Sequence, residues 1–230
     1  TGQRIFFSSD THFGDPNVIR IRKRPFGSLE EMDAALIANW NDTVGPDDLV
    51  YHLGDFAHRN ATNADEYIRR LNGRIHLVKG NHDDQTVALC GDLFVGVDMI
   101  RELEWNGWRF VMFHYPMRDW ADAIRGACHL FGHVHGTLDR TPYGRSLDVG
   151  VESHGFRPVD IERVVEILGA RPEHARGLPP ELDLSEELAS RVADQETPIA
   201  VTRPASSQPA TIVAARLGAA SGSIVVASIS

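Results

Sequence analysis

Cysteine is scarce in this chain: two occur among 230 residues, Cys90 and Cys128. Two thiols can build neither a disulfide framework nor a four-cysteine zinc site, and such a count suits a reducing compartment. Positive charge is also short. Lys and Arg number 23 against 32 Asp and Glu, a formal net charge of −9 with histidine neutral. That balance disfavours a general surface for nucleic acid and leaves carboxylates that could serve cations. No run of about 18 apolar residues occurs, so no membrane-spanning helix is expected. The opening "TGQRIFFSSD" lacks a basic region followed by a long apolar one, so no signal peptide is expected and a cytoplasmic setting is inferred. No internal repeat is evident. What remains is an ordinary globular composition, 42% hydrophobic and 24% charged, in a chain long enough for one sizeable core.

Hydrophobic patterning divides the chain. "RIFFSS" at 4–9, "LVYHL" at 49–53 and "RIHLVKG" at 74–80 read as buried strands. Ser28 with Glu31 forms a capping-box signal ahead of Leu29, Met32, Leu36 and Trp40, which share one helical face. Residues 64–71 read as a second helix. "MIRELEWNGWRFVMFHYP" alternates apolar with polar around Asn106-Gly107, the mark of a hairpin. Further expectations are a short helix at 119–125, strands in "CHLFG" and "SLDVGV", and a closing helix over "VDIERVVEIL" at 159–168. The mixed order predicts two sheets packed together with helices outside. Residues 1–170 form the expected domain. Residues 171–196 are expected to add a helix capped near Asp183, and 197–230 to be a low-complexity tail without chemistry.

Chemistry gathers where the strands stop. The first strand runs into Asp10 and His12, the second into Gly54-Asp55, and the third into Gly80, Asn81 and His82. The hairpin's return strand ends at His114, and the strand after it at His133 and His135. Each piece alone reads as a turn or cap. Together they place Asp, Asn or His at five successive strand ends, the edge where layered α/β sheets bind ligands. Two carboxylates, one amide oxygen and four imidazoles exceed the needs of one tetrahedral ion and suit two divalent cations. With no thiolate in the set, Mn, Fe or Zn is expected.

The ordered series DTH, GD, GNHD, His114 and GHVH resembles the calcineurin-like metallophosphoesterase family, and within it the small stand-alone bacterial type, over roughly residues 4–168. The resemblance implies a four-layer α/β/β/α sandwich of two mixed sheets flanked by helices. It implies that Asp10, His12 and His135 hold a first metal and that Asn81, His114 and His133 hold a second, with Asp55 bridging. Asn81 and His82 would face the substrate phosphate, with His82 as proton donor. The implied reaction is hydrolysis of a phosphomonoester or phosphodiester by a metal-activated hydroxide. A scaffold that binds metal and protein partners without turnover is the alternative; retention of every ligand position and of His82 favours the enzyme. Two departures from the family pattern, His58 in "GDFAH" and Asp15 in "HFGD", touch no expected ligand. "RIRKRPF" brings four cations together, Arg20, Arg22, Lys23 and Arg24; they are expected either to clamp a second phosphate or a nucleotide, with Arg20 and Arg24 as the substrate-binding pair, or to belong to a solvated basic loop.

Overall fold

The computed structural model describes residues 2–139 and 143–172. Its elements run β1 (Ile5–Ser8), α1 (Pro16–Arg22), α2 (Leu29–Thr43), β2 (Leu49–His52), α3 (Ala64–Arg70), β3 (Arg74–Val78), α4 (Asp84–Cys90), β4 (Gly96–Asp98), β5 (Ile100–Trp105), β6 (Trp108–Phe113), β7 (Cys128–Phe131), β8 (Ser146–Asp148), β9 (Val159–Asp160) and α5 (Ile161–Gly169). They form an α/β fold of two mixed sheets. The first has strand order β4-β3-β2-β1-β9 and the second β5-β6-β7-β8. Strands β1 to β4 are parallel and β9 is antiparallel to β1. In the second sheet β5 and β6 form the hairpin, and β6, β7 and β8 are parallel.

The two-residue period of the strands sorts their side chains into separate cores. Phe6, Val50, Ile75 and Leu77 face the helices and pack with Met32, Leu36, Trp40 and Ile68. Their neighbours Phe7, Tyr51 and Val78 face the other way and meet Phe110, Met112, Leu130 and Leu147 between the sheets. Full burial of each large side chain contributes about 1.5–3 kcal/mol. Trp105 and Trp108 flank the inter-sheet core, as packing residues. The outer face of β6 gives Val111 to a small cluster with Trp120, Ala123 and Ala127.

Several local features depart from the patterning. "DVGV" does not continue as strand: β8 stops at Asp148 and a 3-10 turn begins at Val151. The helix expected over 159–168 loses Val159 and Asp160 to β9, whose pairing with β1 outweighs helical continuation. The helix at 119–125 shrinks to a 3-10 turn, Ala123–Arg125. The first half of the basic segment is helical rather than a loop. Asp15 caps α1 by accepting from the Asn17 N–H, Pro16 sits in the first turn, and the helix ends on Lys23 at φ 53°. Helix α4 and strand β4 lie in stretches too short and polar for periodicity to mark. The extension helix and tail expected beyond residue 172 lie outside the described residues. Among the described residues no helix is long and apolar enough to cross a membrane.

Candidate metal centre

The loops leaving β1 and β2 are laced together. Asp10 N–H donates to Gly54 O at 2.9 Å, His12 N–H to Asp55 O at 3.0 Å, and Phe13 N–H to Phe56 O at 3.0 Å. This ladder sets the two turns side by side, with Asp10, His12 and Asp55 all buried. The turn after β7 joins them when the His133 N–H donates to Asp10 Oδ2 at 2.9 Å. From the other sheet, His114 Nδ1 bonds Leu53 O at 2.7 Å. Side chains from residues 10 to 135 thus converge at one end of both sheets.

Backbone geometry is unusual at the same positions. Asp10, His12, Asp55, His133 and His135 all carry positive φ, between 51° and 69°. Non-glycine residues adopt this region at a cost of about 1–3 kcal/mol each, tolerated where surrounding bonds over-determine the chain. Two glycines make the convergence possible. A Cβ on Gly54 would lie 2.5 Å from Gly80 N and 2.7 Å from His114 Nδ1. One on Gly132 would lie 2.0 Å from Ser9 Oγ and 2.4 Å from Asp10 Oδ2. The glycines of the GD and GHVH motifs are therefore there for close backbone approach.

Three overlapping clusters result: Asp10 with His12 and His135, His12 with Asp55 and His82, and Asp55 with His114 and His133. Within each, one ligand atom per residue lies within 4.8 Å of the others. Asp55 Oδ2 stands 3.6 Å from both His12 Nε2 and His114 Nε2, while its Oδ1 accepts the His82 N–H at 2.8 Å. Asp10 Oδ1 is 3.7 Å from His135 Nε2 and 3.9 Å from His12 Nε2. Asn81 Oδ1 lies 3.2 Å from His114 Nε2 and accepts from the Tyr115 hydroxyl at 3.2 Å.

The electrostatics of this donor set suit a positive charge. Asp10 Oδ1 and both ring nitrogens of His12 are buried and make no hydrogen bond within the protein. Burial, then the neighbouring Asp55 carboxylate, pushes the Asp10 carboxyl well above its ordinary range. Burial, then His135, holds His12 well below, which favours the neutral ring with a lone pair on one nitrogen. A buried donor that finds no protein partner fits a cation.

Outer contacts aim these groups. A backbone carbonyl only accepts, so His114 donates from Nδ1 and turns Nε2 toward Asp55 and Asn81. His135 Nδ1 bonds Glu152 Oε1 at 2.7 Å, and a carboxylate likewise only accepts. Burial alone would raise the Glu152 carboxyl, but His135 and Arg24 outweigh it and hold it low. Asp83 accepts three backbone N–H groups, from Asp55, Phe56 and Gly80, at 2.8–2.9 Å. It ties the second motif to the third.

A cavity of about 150 Å³ opens over the centre, lined by His12, Asp55, Asn81, His82, His133 and His135, with Asp15, Val18, Ile21 and Arg22 on the α1 side. His82 Nε2 lies 3.5 Å from Arg59 Nη2. The two arginines expected as substrate clamps are placed elsewhere. Arg20 is exposed and does not line the cavity. Arg24 is 4% exposed and turns inward, bonding Asp10 O, Thr11 O and Glu152. Helical phase separates Arg20 from Arg22 within α1, whereas Arg24 lies beyond the left-handed Lys23 that ends the helix. Arg22 occupies the rim instead. Glu152 and Asp83 went unmarked because their partners lie in other motifs, although Asp83 stands inside "GNHD".

The chain matches the model of the calcineurin-like phosphoesterase superfamily domain over residues 4–147. It is 35% identical over 173 residues to an uncharacterized protein of Methanocaldococcus jannaschii, covering 72% of this chain and 92% of that one. A shorter match, 37% identical over 81 residues, is to the gene 66 protein of Mycobacterium phage L5, covering 34% and 39%. A solved structure of a protein of unknown function from Aquifex aeolicus is similar at a TM-score of 0.59 and 26% identity, covering 72% of this chain and 100% of that one.

Proposed function

The chain belongs to the calcineurin-like phosphoesterase superfamily, and from that footing we propose that it hydrolyses a phosphoester with two divalent cations bound. The observation that carries this reading is the buried, unbonded donor set, Asp10 Oδ1 and both His12 ring nitrogens, beside two carboxylates and pre-aimed imidazoles. Asp10, His12 and His135 would hold one ion, and Asn81, His114 and His133 the other, with Asp55 between. The nitrogen and oxygen donors suit Mn, Fe or Zn. Bound there, such ions act as Lewis acids that lower the pKa of water and draw charge from phosphoryl oxygens.

The protein's own groups do the rest. Asp55 lies between the two clusters, and its negative charge offsets repulsion between cations held on either side. His82 lines the cavity and, protonated, can give its proton to the departing ester oxygen. Arg22, at the rim, offers N–H donors to a phosphate oxygen and fixes its orientation. Val18 and Ile21 form an apolar wall beside it, which suits a second ester substituent and favours a diester over a bare monoester.

The test is hydrolysis of bis-p-nitrophenyl phosphate and of p-nitrophenyl phosphate with added Mn²⁺, against a chelator control. Chelator-sensitive turnover with the diester ahead is expected. No turnover of either ester by metal-loaded protein would overturn the reading and leave a binding scaffold.

A further inference from the structure

Arg24 ends the basic segment, yet its side chain is fully withdrawn from solvent. Its Nη2 donates to Asp10 O at 2.6 Å and its Nη1 to Thr11 O at 2.9 Å. Its Nε and Nη2 reach the same oxygen of Glu152, at 2.8 and 2.7 Å. That oxygen also accepts from His135 Nδ1 at 2.7 Å. One guanidinium thus touches the backbone that carries Asp10 and His12, and acts through one carboxylate oxygen on His135.

We propose that Arg24 and Glu152 are positioning residues for the first metal position, holding Asp10, His12 and His135 in register and keeping the His135 proton on Nδ1 so that Nε2 faces the ion. The physical case has two parts. The turn through Asp10 and His12 runs at positive φ, 57° and 51°, and needs external bonds to persist. Arg24 supplies two of them, in a planar fork that lysine could not reproduce. The imidazole of His135 must present a bare nitrogen to a cation, and its other nitrogen decides which one is bare. Glu152 Oε1 decides it here. Its second oxygen, Oε2, is buried and makes no hydrogen bond, so the work falls on Oε1 alone.

This inference rests on the two-cation reading above, and its test separates the two. Chelator-treated full-length protein is titrated with Mn²⁺ by calorimetry. Wild type is expected to take two equivalents. Glu152→Ala should weaken one of them about 10–100-fold and spare the other, the usual loss when an outer partner of a metal-binding histidine is removed. Glu152→Gln keeps an acceptor at the Oε1 position and should restore most of that affinity. If Glu152→Ala leaves the Arg24 charge too costly to bury, the double variant Arg24→Met/Glu152→Ala takes its place. Unchanged affinity for both equivalents, or equal weakening of both, would overturn the proposal. Should wild type take up neither Mn²⁺ nor, in parallel titrations, Fe²⁺ or Zn²⁺, the two-cation reading fails, and the ¹⁵N spectrum of the His135 ring still judges the pair. An Nδ1–H form in wild type and Glu152→Gln that is lost in Glu152→Ala supports it; the same form in all three refutes it.

Discussion

At the scale of single residues, Asp55 and His82 look alike in sequence, each a polar side chain just beyond a strand, but their surroundings differ and the proposed function gives them different work. Asp55 Oδ2 is equidistant, at 3.6 Å, from an imidazole of each outer cluster, and only a carboxylate there offers negative charge to both. Asp55→Asn keeps the shape and removes the charge, so bound metal and turnover should fall together; metal analysis beside the ester assay checks this, and retained turnover would contradict the bridging role. His82 shares a cluster with His12 and Asp55 yet also lines the cavity. As the proposed proton donor it would contribute about 10²–10⁴-fold to rate. His82→Ala should therefore keep the metal content and lose rate by that factor, and a fall in metal content would make it a ligand instead.

At the scale of elements, α1 shows how seven residues can place some basic side chains at a site and keep others from it. Val18 is buried against the helical core, Ile21 and Arg22 reach the cavity, and Arg20 points into solvent. Arg22→Ala should raise KM for bis-p-nitrophenyl phosphate about 3–10-fold, the share of an exposed charge-assisted contact, with metal content unchanged. Arg20→Ala should leave KM where it was. Equal effects from the two would mean that α1 acts only through general charge. The same element explains the limit of pattern reading. Asp15 and Pro16 carry a helix-start signal, but local pattern leaves the basic run after them open between a phosphate clamp and a solvated loop. Tertiary contacts divided it into a solvent residue, a rim residue and a buried anchor.

At the scale of the whole molecule, the fold buries histidines that have no part in the centre. His129 donates from Nδ1 to Val111 O at 2.9 Å and accepts the Met117 N–H on Nε2 at 3.1 Å, which requires a neutral ring. Burial lowers its pKa to about 4, and that of His52 to about 3. Above about pH 6.5 both states of the chain hold these rings neutral. Below it the unfolded chain takes up protons that the folded one refuses, so stability is lost toward the folded pKa, by up to about 1.4 kcal/mol per pH unit per group. Asp148, raised by burial to about 6, works in the opposite sense, so a difference between two proteins is the proper measure. His129→Gln should cost stability at pH 7.5, and that cost should shrink steadily as the pH falls from about 6.5 toward 4. Urea midpoints of both proteins across that range check it, and a constant cost would refute the assignment.

The sequence by itself determined the two-sheet α/β class, the strand ends and the identity of the polar groups standing on them. These are local matters, since alternation, turn chemistry and motif order are all written along the chain. Only the tertiary structure decided which polar groups share a neighbourhood. Arg24 and Glu152 stand 128 residues apart and meet at one oxygen. Arg22, not Arg20, reaches the rim because helix phase is set by packing against Val18. Proximity between distant residues comes from how the sheets stack and where each loop is pinned, and no local pattern encodes that.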